Sequence, residues 1–98
     1  MRADYETRTD AIEIELEKVE RLDHGVPVED GATIVHFVDD RPVLIDVIGT
    51  RKRDFEKPLR VVAERYGLDA EALIAISKAA IAAPDRPVRL EVGARIAV

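Results

Sequence analysis

The chain reads as an α+β domain: an antiparallel β-sheet of three to four strands, then a helical hairpin, then a C-terminal strand. Three observations carry that reading. Apolar and polar residues alternate through the first half, the apolar period lengthens to that of a helix from Phe55, and alternation returns after Pro84-Asp85-Arg86-Pro87. At 98 residues one core is feasible and two are not. Residues 1–98 are therefore taken as a single domain, with a β-meander part over 1–50 and a helix-helix-strand part over 51–98.

From Ala11 to Val19, Ile12, Ile14 and Leu16 point one way and Glu13, Glu15 and Glu17 the other, the period-two signature of a half-buried strand. Asp23 to Pro27 reads as a turn or crossing, and Glu29-Asp30-Gly31 as a second turn after at most a short strand around Val26 to Val28. Thr33–Val38 and Val43–Ile48 are β-branched, apolar runs joined by Asp39-Asp40-Arg41-Pro42, which we read as a four-residue hairpin loop. If that loop pairs Val38 with Val43, one face carries Ile34, His36, Val38, Val43, Ile45 and Val47. The other then carries Val35, Phe37, Leu44 and Ile48, with Thr33 and Asp46 among them. Both faces come out largely apolar. The helices can cover one, so another subunit or the rest of the chain is expected to cover the other.

Phe55, Leu59, Val62, Ala63 and Tyr66 form one helical stripe, with Asp54 as N-cap and Pro58 in the first turn. Gly67 is placed to end this helix in a left-handed conformation and Asp69 to cap the next. The second helix, from Ala70 to about Ala83, carries Leu73, Ile74, Ile76 and Ile81 among alanines, so it should be buried over most of its circumference. Val88, Leu90 and Val92 alternate with Arg89 and Glu91 in the closing strand; Gly93 marks a bend before Ile96 and Val98.

Composition narrows function mainly by exclusion. The chain contains no cysteine, which removes disulfides, thiolate catalysis and cysteine-based metal sites. A net charge of −5 argues against a nucleic-acid role unless a basic face is strongly segregated. Ser77 and Lys78 interrupt the most apolar segment well short of the roughly 18 residues of a membrane span. The opening Met1 to Glu6 is charged, unlike a signal peptide, and a cytoplasmic protein is expected.

The run Asp4-Tyr5-Glu6, then Thr9 to Ile14, then Val26 to Gly31, then a hairpin ending Val43-Leu44-Ile45-Asp46-Val47-Ile48 resembles the YuzE-like domain family over about residues 4–50. That resemblance implies a small sheet domain without an assigned activity. Because some relatives lie beside toxin-like genes, it also implies an antitoxin-like or partner-binding role. The second half departs from the family pattern, and no catalytic residue carries over. Ala63-x3-Gly67-Leu68 with Leu73 and Ile76 is similar to the apolar skeleton of a helix-turn-helix, but the second helix lacks residues to read base edges. Arg65 to Leu73 with Pro84 to Pro87 is similar to part of the LysM glycan-binding module, without that module's Gly-Asp-Thr opening. A generic helix-Gly-helix hairpin accounts for both likenesses.

No catalytic constellation, metal site or cofactor is read from these residues. The two histidines, His24 and His36, fall on a turn and on a sheet face, and His36 is expected to be a core histidine with one backbone hydrogen bond. The row Glu13, Glu15, Glu17 and Glu20 is a solvated strand face. Asp46, on an apolar face, calls for a structural partner such as an arginine. Arg51-Lys52-Arg53 is the basic cluster, open to an anion or an acidic partner but lacking a glycine-rich loop. Ser77, the one serine, sits on the apolar helix with no histidine near it in sequence.

The leading expectation is a non-enzymatic protein that acts through self-association or partner binding, as a homodimer or with a protein partner. Val35, Phe37, Leu44, Ile48, Ile74 and Ile81 are its expected contact residues. One competing reading is an acid-base enzyme built from Asp46, His36 and the Arg51–Arg53 turn. Another is a nucleic-acid binder using Arg51, Lys52, Arg53, Arg60 and Arg65.

Overall fold

A computed structural model describes residues 1–28 and 31–91. The expected turn at Glu29-Asp30 and the strand continuation from Val92, with its bend at Gly93 and the later Ile96 and Val98, lie outside the described residues. The fold is α+β, with a six-stranded antiparallel sheet on which two helices pack. Its elements are β1 (Arg2–Glu6), β2 (Ala11–Glu15), β3 (His24–Pro27), β4 (Thr33–Val38), β5 (Arg41–Ile48), a 3₁₀ turn (Thr50–Lys52), α1 (Glu56–Tyr66), α2 (Ala70–Ala82) and β6 (Pro87–Arg89). The spatial order is β3-β4-β5-β2-β1-β6, so the chain's first and last described strands lie side by side.

The sheet is larger than the three to four strands expected. The additional strand is β1, whose charged residues hide an alternation in which Ala3 and Tyr5 point inward and are buried. β2 also ends at Glu15 rather than running to Val19.

The β4–β5 hairpin exists, but its turn is shorter than expected and its register differs. Asp39 and Asp40 both adopt left-handed backbone (φ 50° and 64°), making a two-residue turn that pairs Val38 with Arg41. A bulge between His36 and Phe37 then sets His36 opposite Leu44 and Ile34 opposite Asp46. Since side chains alternate strictly along a strand, a one-residue change in pairing exchanges faces. Thr33, Val35 and Phe37 join Val43, Ile45 and Val47 on the buried face; Ile34, His36, Leu44, Asp46 and Ile48 share the other. Neither face therefore holds the set expected from the four-residue loop.

The helices lie on the face of Val35, Ile45, Ile12 and Tyr5 and seal it. α2 crosses β1, β2 and β6, while α1 reaches β4. Leu59, Val62 and Ala63 of α1 meet Leu73, Ile74, Ile76 and Ala80 of α2 in the same core. Two of the three expected caps follow the sequence: Gly67 is left-handed (φ 67°), and Asp69 accepts from the Ala72 N–H at 3.2 Å. The N-cap of α1 is Phe55 rather than Asp54, whose carboxylate, one residue earlier, still accepts from the Glu56 N–H at 3.0 Å. Ser77 is fully buried, and its hydroxyl donates to the Leu73 carbonyl one turn back, at 2.8 Å.

The expected surplus of apolar surface is mostly absorbed inside the protomer. α2 turns Ala75 and Ala82 outward beside Glu71 and Lys78, so its exposed flank is small-residue and charged rather than greasy. Among the described residues the large exposed hydrophobics are Leu22 (46%) and Ile48 (45%). No helix of the described residues is long and apolar enough to cross a membrane.

Candidate functional site

Pairing register alone lays out the helix-free face as a grid. One row, read across the sheet, is Pro27–Ile34–Asp46–Glu13–Asp4–Pro87, and the next is Gly25–His36–Leu44–Glu15–Arg2–Arg89. Ile48, Ala11 and Glu6 begin a third. The β3–β5 side of the face is thus mainly apolar and the β2–β1 side mainly acidic, with arginines at the far margin.

Three polar contacts order this surface. His36 Nε2 lies 2.9 Å from Asp46 Oδ2, with the two side chains 21% and 32% exposed. An ionised carboxylate only accepts, so the imidazole presents Nε2–H to it. The ring lies against Gly25 of the neighbouring strand, where an added Cβ would come within 3.0 Å of Nδ1. Glycine at 25 is what lets the imidazole lie across β3. At the other margin Arg2 reaches Glu15 at 3.5 Å and, more weakly, Asp4 at 3.9 Å.

Glu13 stands directly between Asp46 and Asp4 in the register and has no cationic partner among the described residues. Like charges at directly opposed positions repel. Desolvation first, then the charges of Asp46, Asp4 and Glu15, push its carboxyl above the usual range, with Arg2 opposing. Asp46 has the structural partner expected of it, but that partner is His36 and not an arginine. His36, in turn, is a half-buried surface residue bound to a carboxylate rather than a core residue bound to backbone.

The other anticipated site residues are dispersed. Val35, Phe37 and Ile74 are 0%, 6% and 4% exposed within the protomer core, so they cannot line an outer contact. Leu44 and Ile48 are on the helix-free face, and Ile81 is partly buried against the core on the opposite side. Arg51 is engaged elsewhere: its N–H donates to Asp10 Oδ1 at 3.1 Å and its guanidinium lies 5.3 Å from the Tyr5 ring centre. Arg53 folds back against Gly49, whose φ is 69°, and Lys52 remains exposed. Of the residues expected in an acid-base constellation, the structure brings His36 and Asp46 together, while Arg51 is held at Asp10 and Tyr5. Arg60 pairs with Glu71 at 2.7 Å.

Two clusters that sequence reasoning missed are structural ties. Tyr5 donates its hydroxyl to Asp10 Oδ1 at 2.7 Å, which joins the β1–β2 turn to the 3₁₀ turn through the Arg51 N–H. That hydroxyl, with the Arg51 amide and the Lys52 and Arg51 charges, holds the Asp10 carboxyl below its ordinary range, and the same bond raises Tyr5. Asp85 accepts from the Thr7 backbone N–H at 3.0 Å and from its hydroxyl at 2.9 Å, and is lowered by both. Shallow hollows at Asp4, Tyr5, Glu6, Asp85, Arg86 and Pro87 and along Asp54 to Glu64 of α1 contain neither histidine. Among the described residues no group of three or more histidine and carboxylate side chains is placed to hold a metal ion. Comparison with family models, with curated proteins and with solved structures gives no match for this chain.

Proposed function

We propose that this is a non-enzymatic binding protein that docks a segment of another protein on the helix-free face of its sheet. One observation carries the reading. With α2 and the inner face sealed, Ile48 is 45% exposed on that face and Ile34 and Leu44 lie half-open beside it. The sheet edges favour a face over an edge. The Val28 N–H donates to Thr33 and the Leu90 N–H to Met1, which by alternation leaves positions 27 and 87 facing outward, and both are proline. An outward proline removes the donor that an added strand would need.

A second copy is the competing occupant. A two-fold dimer is self-complementary, so joining apolar strip to apolar strip would also place two copies of the acidic row Asp46–Glu13–Asp4 in one interface. The net charge of −5 works against that pairing. The likeness of residues 4–50 to the YuzE-like domain supports partner binding, with an antitoxin-like regulator as the biological form.

The test compares tagged wild-type protein with a Leu44→Lys/Ile48→Lys variant and an Arg60→Ala control, each recovered at native salt. Proteins retained by wild type and control but absent from the double variant support docking on this face. An identical set from all three overturns it. Light scattering across micromolar concentrations decides the competing case, because a dimer abolished by the double variant makes the second copy the occupant.

A further inference from the structure

The polar side of the helix-free face specifies the chemistry of what it binds. Three carboxylates, Asp46, Glu13 and Asp4, stand in one row across β5, β2 and β1, about 5 Å apart at the Cβ atoms as directly opposed cross-strand neighbours are. The outer two have partners of their own, Asp46 in the hydrogen bond with His36 and Asp4 weakly in Arg2. Glu13, in the middle, has none among the described residues. A single positive charge above Glu13 would lie within reach of all three. Around that point the grid is apolar on one flank, with Leu44 and Ile48 on β5 and Ala11 on β2 at adjacent positions.

We infer that the docked segment carries an arginine or lysine that seats over Glu13, with apolar residues beside it that cover Leu44 and Ile48. This rests on the docking reading above and adds the partner's chemistry to it. Sign and shape act together here. The apolar flank excludes water from one side of the ion pair, which strengthens it, while the like-charge repulsion already present in the row is relieved on binding. A second copy of this chain brings the same row of acids to the interface, with its arginines, Arg2 and Arg89, at the far β1–β6 margin. A small polycation would satisfy the row but leave the apolar flank wet.

The test is a titration of the whole protein with defined probes followed by calorimetry: a strand-length peptide alternating leucine and arginine, its counterpart alternating leucine and glutamate, and spermidine. The arginine peptide is expected to bind and the glutamate peptide not to. Glu13→Gln should weaken the arginine peptide by about two- to fivefold, the range of one partly exposed ion pair. Glu64→Gln, on α1, should leave the affinity unchanged. Ile48→Lys should weaken it further. Absence of binding by the arginine peptide, equal loss from Glu13→Gln and Glu64→Gln, or spermidine binding as tightly as the peptide would each overturn the inference. A partner captured through Leu44 and Ile48 while these probes fail would leave docking standing and remove only its cationic specificity.

Discussion

At the scale of single residues, the structure turns on positions that accept one residue type for a steric or electrostatic reason. Gly25 is such a position, because an added methyl would meet His36 Nδ1 at 3.0 Å and the Ile34 methyl at 3.2 Å. Gly25→Ala should displace the imidazole from Asp46 and lower stability by about 1 kcal/mol, the order of one lost hydrogen bond. Chemical denaturation measures the cost, and a change in the His36 ring resonances reports the displacement. Tyr5 and Asp10 give a prediction in pH. Asp10 is held below its ordinary range in the folded chain, so its stabilisation is complete above the unfolded value and is lost as pH falls through the folded one. Tyr5→Phe should therefore reduce stability at neutral pH and flatten its decline in acid. Glu13 has the opposite sign. Its raised folded value means the native state binds more protons, so stability falls as pH rises through that window. Glu13→Gln should raise the melting temperature at neutral pH and have little effect in acid. Little of this was legible in sequence: Glu13 reads as one solvated acid among several until the register sets it between Asp46 and Asp4.

At the scale of elements, the helices were legible and the sheet only partly so. Asp54, Gly67 and Asp69 act through local geometry, and their roles follow from neighbours a few residues away. The β4–β5 register depends on whether Asp39 and Asp40 both take left-handed backbone and on one bulge, neither of which leaves a mark in the alternation of Thr33–Val38. β1 escaped notice because two buried side chains among three polar ones are too few to stand out as a period. The register can be tested directly. Ile45 is fully buried and Leu44 half-exposed, so Ile45→Lys should prevent folding whereas Leu44→Lys should leave the circular dichroism spectrum and cooperative unfolding intact. The alternative register, which set Leu44 opposite to Ile45 but paired Ile45 with His36, puts Ile45 beside an accessible histidine and predicts a smaller contrast. In α2, Ile74→Ala should cost about 2–5 kcal/mol as a cavity in the core, which separates a packing role from the surface role first assigned to it.

At the scale of the whole molecule, the helical pair and the sheet divide the work. One side of the sheet, closed by α1 and α2, supplies the stability. The other side carries an apolar strip, a His36–Asp46 pair and a row of carboxylates that repel one another. The exclusion of thiolate chemistry rests on the absence of cysteine from the sequence and is independent of how the chain folds. Counting apolar residues does not show that α2 hides Leu73, Ile74 and Ile76 and turns Ala75 and Ala82 outward. We propose that this protein meets its partner on the helix-free face of its sheet. Backbone and side-chain resonances of isotope-labelled protein, followed during titration with the leucine–arginine peptide, test it most directly. Shifts gathered at Ala11, Glu13, Leu44, Asp46 and Ile48, with α1 and α2 unchanged, are the predicted result. Shifts gathered on the outer flanks of the helices, with those five residues silent, would contradict it.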